Sequence, residues 1–219
     1  MRTTFLMSVL AIALTIAAPT QAADEPKVKI TPDMASVEVI HDGQKTTISR
    51  NQDEKNTVKA DFAKTSRDCP PFCIQPGTLA PGVETIGELE VLDYLKQIAA
   101  GNDKIMVIDS RTPDWVAKGT IPGSVNIPWD QLNAAKSDPF TIADILEKRL
   151  GARNQEGLWD FSGAKTLVLF CNGMWCGQSP TNIKTLLKYG YPADKIKWYR
   201  GGMQDWEILG MTTVIPKKP

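Results

Sequence analysis

The chain has 219 residues, with 25 Lys plus Arg set against 25 Asp plus Glu and a single histidine, His41. That balance gives no global attraction to nucleic acid or to a membrane surface, and no nucleic-acid partner is expected. Unless His41 takes part, a lone histidine also excludes a Ser-His-Asp hydrolase and a multi-histidine metal site.

Taken in order, residues 1–22 carry the pattern of an export signal. Arg2 supplies one positive charge, residues 5–18 are apolar, and Thr20 and Ala22 place small residues where a signal peptidase cuts. The apolar run is short of the roughly 20 residues that a spanning helix needs. The expectation is cleavage after about Ala22, a periplasmic protein, and no membrane attachment after cleavage. Residues 23–80 read as an extension. Residues 37–40 and 46–49 are β-prone and flank Asp42-Gly43, a hairpin signal. Residues 51–64 read as a solvated linker or a loose helix. Residues 67–81 are rich in Pro and Gly and hold Cys69-Pro-Pro-Phe-Cys73. They fit neither a regular helix nor a central strand.

From residue 81 to 219 strands and helices alternate. Thr85-Ile-Gly-Glu88 has the form of a capping box, Leu89, Leu92, Leu95 and Ile98 follow at helical spacing, and Gly101 marks the stop. Residues 105–108 form a short apolar strand that ends in Asp109-Ser110-Arg111. A tight turn over 119–123 precedes another short strand at 124–128. Thr141 to Asp144 opens a second capped helix, with Gly151 as its stop, and 153–163 reads as a polar connection. Residues 166–170 are β-branched and apolar without charge, as in a strand buried on both faces. Ser179-Pro180 reads as a helix start with Ser179 as N-cap. Gly190-Tyr-Pro192 ends that helix, 196–199 is a further strand, and 203–209 a short helix carrying Trp206. The fold class is therefore α/β, with layers of helices on a mainly parallel central sheet.

The chemistry concentrates at Cys171. A buried strand delivers it into a short loop whose far side is a helix N-terminus, so backbone N–H groups and the positive end of a helix dipole gather round one sulfur. Such a thiol ionises more readily than a free one. In open parallel sheets, ligands bind beyond the strand carboxyl ends, where both Asp109 and Cys171 fall. Asp109 and Arg111 read as a structural ion pair or as supporting groups of the site. The cysteines come as Cys69-x3-Cys73 and Cys171-x4-Cys176. Neither spacing is a zinc knuckle or a C-x-x-C redox motif, so no metal is expected. A Cys69–Cys73 disulfide and cross-pairing with Cys171 or Cys176 both stay open.

The residues resemble the rhodanese (sulfurtransferase) family. Four landmarks carry the likeness: Asp109-Ser-Arg111; Gly119-Thr-Ile-Pro-Gly-Ser-Val-Asn-Ile-Pro128; Cys171 at the strand-to-helix loop; and Gly190-Tyr191 followed by Tyr199-Arg-Gly-Gly-Met-Gln-Asp-Trp206 and Gly210. The likeness covers roughly residues 83–214. The resemblance implies a three-layer domain whose Cys171 carries a sulfane sulfur as a persulfide, without a cofactor. The loop backbone at Asn172, Gly173, Met174, Trp175 and Gly177 would hold the persulfide. A thiosulfate-like or persulfide donor would supply the sulfur, and a thiol or cyanide-like acceptor would remove it. The chain departs from the family pattern at three points. Cys176 occupies the sixth loop position, where Arg, Lys or Thr is common. Thr120 stands in place of a frequent histidine, and Trp115 in place of an acidic residue. No basic side chain lies between Cys171 and Ser179 to attract an anion. Cys176 reads either as a resolving thiol, which makes the protein a thiol-disulfide or persulfide redox protein with a redox partner, or as half of a structural disulfide in a non-catalytic binding module.

Overall fold

The computed structural model describes residues 26–216. The signal segment expected over 1–22 lies outside them. Among the described residues no helix is long and apolar enough to cross a membrane.

The extension opens with an antiparallel hairpin, β1 (Ser36–His41) and β2 (Gln44–Ser49), turned by Asp42 and Gly43 at positive φ. Its inward residues Val37, Val39 and Ile48 are buried. A one-turn helix α1 (Ala60–Ala63) follows and buries Phe62. Cys69 and Cys73 are joined to each other, whereas Cys171 and Cys176 are free thiols, so the cross-pairings do not occur.

The main body adds β3 (Glu84–Ile86), α2 (Glu88–Ala99), β4 (Ile105–Asp109), α3 (Pro113–Val116), β5 (Val125–Asn126) and α4 (Pro139–Asp144), the last running into one π turn over Ile145–Arg149. Next come a small hairpin of β6 (Arg153–Gln155) and β7 (Leu158–Asp160), then β8 (Thr166–Phe170), α5 (Gln178–Lys188), β9 (Ile196–Tyr199) and α6 (Gly202–Ile208). Five strands form one wholly parallel sheet in the order β3-β9-β8-β4-β5.

The central strand β8 sorts its residues by parity. Leu167 and Leu169 face the core under α4 and α5, while Val168 and Phe170 face the core under α2 and α6. Each such fully buried side chain contributes about 1.5–3 kcal/mol over its exposed state. The hairpin β1–β2 joins the second core and packs on α2, which compensates for its own shortage of apolar residues. Its end is tied to the C-terminal segment: Arg50 Nε donates to the Leu209 carbonyl at 2.8 Å, and the Ser49 amide donates to Thr212 Oγ1 at 3.0 Å.

Several local expectations shift. Helix α2 is capped at Gly87 rather than Thr85, and only the Glu90 carboxylate acts there, accepting from the Gly87 amide at 3.0 Å. Thr85 lies instead in β3, an edge strand absent from the sequence reading. The helix expected from Thr141 starts at Pro139 with Asp138 as its cap, accepting from the Thr141 amide at 3.0 Å. The segment read as a polar connection contains β6 and β7, anchored by Trp159 and Phe161 against Tyr189 and Tyr191. Ser179 is not an N-cap. Helix α5 begins at Gln178 after Gly177, which shortens the loop and carries Ser179 into the first turn.

Candidate functional site

Three elements place Cys171. Strand β8 ends one residue before it, α5 starts seven residues after it, and the start of α6 lies against the loop backbone between. The Met203 amide donates to the Cys171 carbonyl and the Gln204 amide to the Asn172 carbonyl, both at 2.9 Å. This approach requires glycine at 202. Gly202 has φ +57°, and a Cβ there would lie 2.3 Å from the Cys171 carbonyl oxygen and 2.9 Å from the Gly173 nitrogen.

Beneath the loop, Asp109 and Arg111 form a buried ion pair at 2.6 Å, each 1% exposed. The guanidinium also donates to the Gly119 carbonyl at 2.7 Å and to Asn172 Oδ1 at 3.4 Å. Thr120 Oγ1 donates to Asp109 at 2.7 Å. A buried pair of this kind rewards geometry more than it stabilises, because desolvation offsets the attraction. It ties the 119–120 turn to the cysteine loop.

The Cys171 sulfur is buried. Ser179 Oγ donates to it at 3.2 Å, and Trp198 Nε1 donates to Ser179 Oγ at 3.2 Å, so the hydroxyl proton is aimed at the thiol. As a thiol, Cys171 donates to the Cys176 carbonyl at 3.4 Å. Burial alone raises its pKa. Donation from the Cys176 thiol, the Ser179 hydroxyl and the Ser179 and Gly173 amides outweighs that penalty and brings it down to about 7. Burial, and then the adjoining Cys171, push Cys176 well above the ordinary thiol value. The loop thus holds one thiol that ionises near neutrality beside one that keeps its proton.

The extension covers the loop from outside. The Gln75 amide donates to the Met174 carbonyl at 2.8 Å, and Arg200 holds the Gln75 and Pro76 carbonyls at 2.7 and 3.0 Å. Phe72 meets the Trp175 ring edge-on at 5.6 Å, and the Arg67 guanidinium lies 3.7 Å from the centre of that ring. Trp175 Nε1 donates to Gln204 Oε1 at 2.7 Å. Together they leave a cavity of about 370 Å³ that reaches Asn172, Cys176 and Gly177. Among the described residues no cluster of three or more His, Cys, Asp or Glu converges as a metal site would.

The family model for the rhodanese-like domain matches residues 91–209, more than half of the chain. The chain belongs to the rhodanese-like domain family. No curated protein sequence matches the chain. Among solved structures it is similar to the human single-domain sulfurtransferase TSTD1, at 22% identity and TM-score 0.37 over 57% of this chain and 95% of that one. It is also similar to a thiosulfate sulfurtransferase from Pseudomonas aeruginosa, at 19% identity and TM-score 0.41 over 62% of this chain and 21% of that one. A rhodanese-related protein from Thermoplasma volcanium matches at 17% identity and TM-score 0.36 over 61% of this chain and 99% of that one. These are likenesses of fold and say nothing of substrate.

Within this rhodanese-like domain, the structure brings Cys171, Cys176, Asn172 and Gly173 together, with Asp109 and Arg111 in support. The amides acting on the Cys171 sulfur are those of Gly173 and Ser179. Met174 and Trp175 contact the extension, and the Gly177 carbonyl accepts from the Thr181 amide at 3.0 Å. Cys69 and Cys73 lie beside Phe72 in the covering segment. Sequence reasoning missed Ser179 as a thiol partner, although its place at the helix start was a usable signal. It also missed Trp198 and Arg67, and Trp129, which lines the cavity; all come from distant segments.

Proposed function

We propose that the chain is a sulfurtransferase that carries a sulfane sulfur as a persulfide on Cys171. The supporting observation is the pKa of about 7 at a buried sulfur with hydroxyl, thiol and amide donors aimed at it. A nucleophile of this kind needs no histidine base. The Cys171 thiolate attacks the outer sulfur of a donor such as thiosulfate or a persulfide. A new S–S bond forms, the donor's S–S bond breaks, and the leaving group departs with the electron pair as sulfite or a thiolate. The persulfide anion then occupies the same donor cluster. A thiol or cyanide-like acceptor attacks the outer sulfur and regenerates the Cys171 thiolate. In this reading the protein acts in the periplasm after loss of residues 1–22.

The adjacency of two free thiols supports a second reading of the same loop. Cys176 attacks the inner sulfur of the Cys171 persulfide, giving a Cys171–Cys176 disulfide and releasing hydrosulfide. A dithiol redox partner then reduces the disulfide.

Mass spectrometry tests both. The reduced protein treated with thiosulfate or inorganic polysulfide is expected to gain one sulfur on Cys171, and Cys171→Ser to gain none. No gain with either donor overturns the first reading. The second predicts a disulfide that grows as the persulfide decays and is lost in Cys176→Ser. A persulfide that decays equally in both proteins overturns it.

A further inference from the structure

A second cavity, of about 600 Å³, opens beside the edge strand β5, where separate parts of the chain meet. The tip of the β1–β2 hairpin supplies His41 and Asp42, α3 and β5 supply Pro113, Val116 and Val125, and the C-terminal segment supplies Pro216. His41, Asp42 and Pro216 lie outside residues 91–209, so this cavity is no part of the family outline. Its size is that of a small-molecule pocket, and apolar side chains form much of its wall.

One polar group of that wall is unsatisfied. His41 is the only histidine of the chain, and its side chain is 10% exposed. The Gly123 amide donates to its Nδ1 at 3.1 Å, so Nε2 carries the ring proton and can only donate. Nε2 is buried and has no hydrogen-bond partner among the described residues. A buried donor in this state is destabilising and calls for an acceptor. Asp42 Oδ2 lies 3.6 Å away, too far for a direct hydrogen bond and suited to one bridging oxygen. Asp42 is about half exposed on the hairpin turn, so its carboxylate can turn aside to admit that oxygen. The remaining polar groups of the wall have their protons committed. Thr120 Oγ1 donates to Asp109 and Ser124 Oγ to the Ile121 carbonyl, both at 2.7 Å, and Asn126 Nδ2 donates to the Asp109 and Arg111 carbonyls at 2.8 and 2.9 Å.

These constraints select a functional group. An ammonium has no lone pair with which to accept from Nε2. A carbonyl or carboxylate oxygen accepts from Nε2 but sets its own lone pairs against the Asp42 carboxylate. A hydroxyl satisfies both neighbours, because its oxygen accepts from Nε2 while its proton goes to Asp42. We propose that this cavity binds an uncharged alcohol with an apolar body. The hydroxyl bridges His41 Nε2 and the Asp42 carboxylate, and the body lies against Pro113, Val116, Val125 and Pro216. This is a binding site in which no covalent bond changes, and it stands apart from the sulfurtransferase reading of Cys171.

Because His41 is unique, its imidazole gives one unambiguous signal in the NMR spectrum of the full, untagged chain. Benzyl alcohol is expected to move that signal saturably. It is expected to bind at least about tenfold tighter than acetophenone, benzoate or benzylamine, which keep the ring and change the polar group. Asp42→Gly keeps the positive φ of the turn and removes the carboxylate. It is expected to weaken benzyl alcohol about tenfold and to erase its preference over acetophenone. No saturable shift with benzyl alcohol overturns the proposal, and so does equal affinity for benzyl alcohol and acetophenone. An undiminished preference in Asp42→Gly overturns the hydroxyl bridge. Persulfidation of Cys171 enters none of these readouts, so failure here and failure of the sulfurtransferase reading are told apart.

Discussion

Replacing Ser179 by alanine isolates one donor to the sulfur. Its hydroxyl lies 3.2 Å from Cys171 Sγ and is held there by the Trp198 indole N–H. A hydrogen bond to a charged group contributes about 1.5–3 kcal/mol net. Sulfur is a weak acceptor, so the lower end applies. About 1.4 kcal/mol corresponds to one pKa unit, which moves Cys171 from about 7 to about 8. At pH 7 the thiolate fraction falls from about one half to about one tenth. Alkylation of Cys171 by iodoacetamide, followed by peptide mass spectrometry across a pH series, should slow about fivefold at pH 7. The two proteins should converge well above both pKa values. An unshifted profile would mean that the amides and Cys176 alone set the ionisation. A rate ratio constant with pH would mean that access, not charge, had changed.

Three further outcomes follow from the same geometry. Asp109→Ala leaves the Arg111 guanidinium buried without its counter-ion, and urea unfolding should show a loss of about 3–5 kcal/mol; a loss below about 1 kcal/mol would place the pair among surface-like bridges. Gly202→Ala forces a Cβ into the Cys171 carbonyl at positive φ. It should cost at least roughly 1–3 kcal/mol in the same assay and alter the Cys171 alkylation profile; an unchanged profile would refute the close approach of α6. Between about 7 and 9 the unfolded chain holds the Cys171 proton that the folded chain has lost, so stability should rise with pH across that window. Above 9, Cys176 keeps its proton when folded and loses it when unfolded, as Tyr191 and Tyr199 do at higher pH, so stability should fall again. Cys171→Ser should flatten the rising limb and, by removing the neighbour that raises Cys176, soften the fall above it.

The sequence disclosed what is local. Residues 166–170 and 105–108 are apolar runs that can only be buried strands, and the loop from Cys171 to Gly177 is contiguous, so its chemistry could be read directly. Strand β3 escaped because Glu84-Thr-Ile86 is too short to show a period, and its pairing with β9 is a tertiary fact. The β6–β7 hairpin escaped because its inward residues are few, and only Trp159 and Phe161 betray it. Ser179 was read by the commonest role of serine before proline, yet the helix begins two residues earlier than that and turns the hydroxyl onto the sulfur. The cavity was not legible at all. Its walls come from residues 67, 72, 115, 129 and 175, which no spacing rule connects. The departures at Trp115 and Cys176 were visible, but both line this cavity and so bear on one another only once the chain is folded.

The family match ends at both sides before the fold does. Val37, Val39 and Ile48 share a core with Val91, Leu92 and Leu95, and Thr212 and Val214 are bonded to Ser49 and Thr120 outside or across the matched span. The cooperative unit is therefore larger than the family outline. A fragment trimmed to residues 91–209 would expose one side of α2 and release the start of the Cys171 loop's cover, leaving a sticky remnant of the domain. For this chain the hairpin and the terminal segment act as a clasp: cutting either side should loosen both.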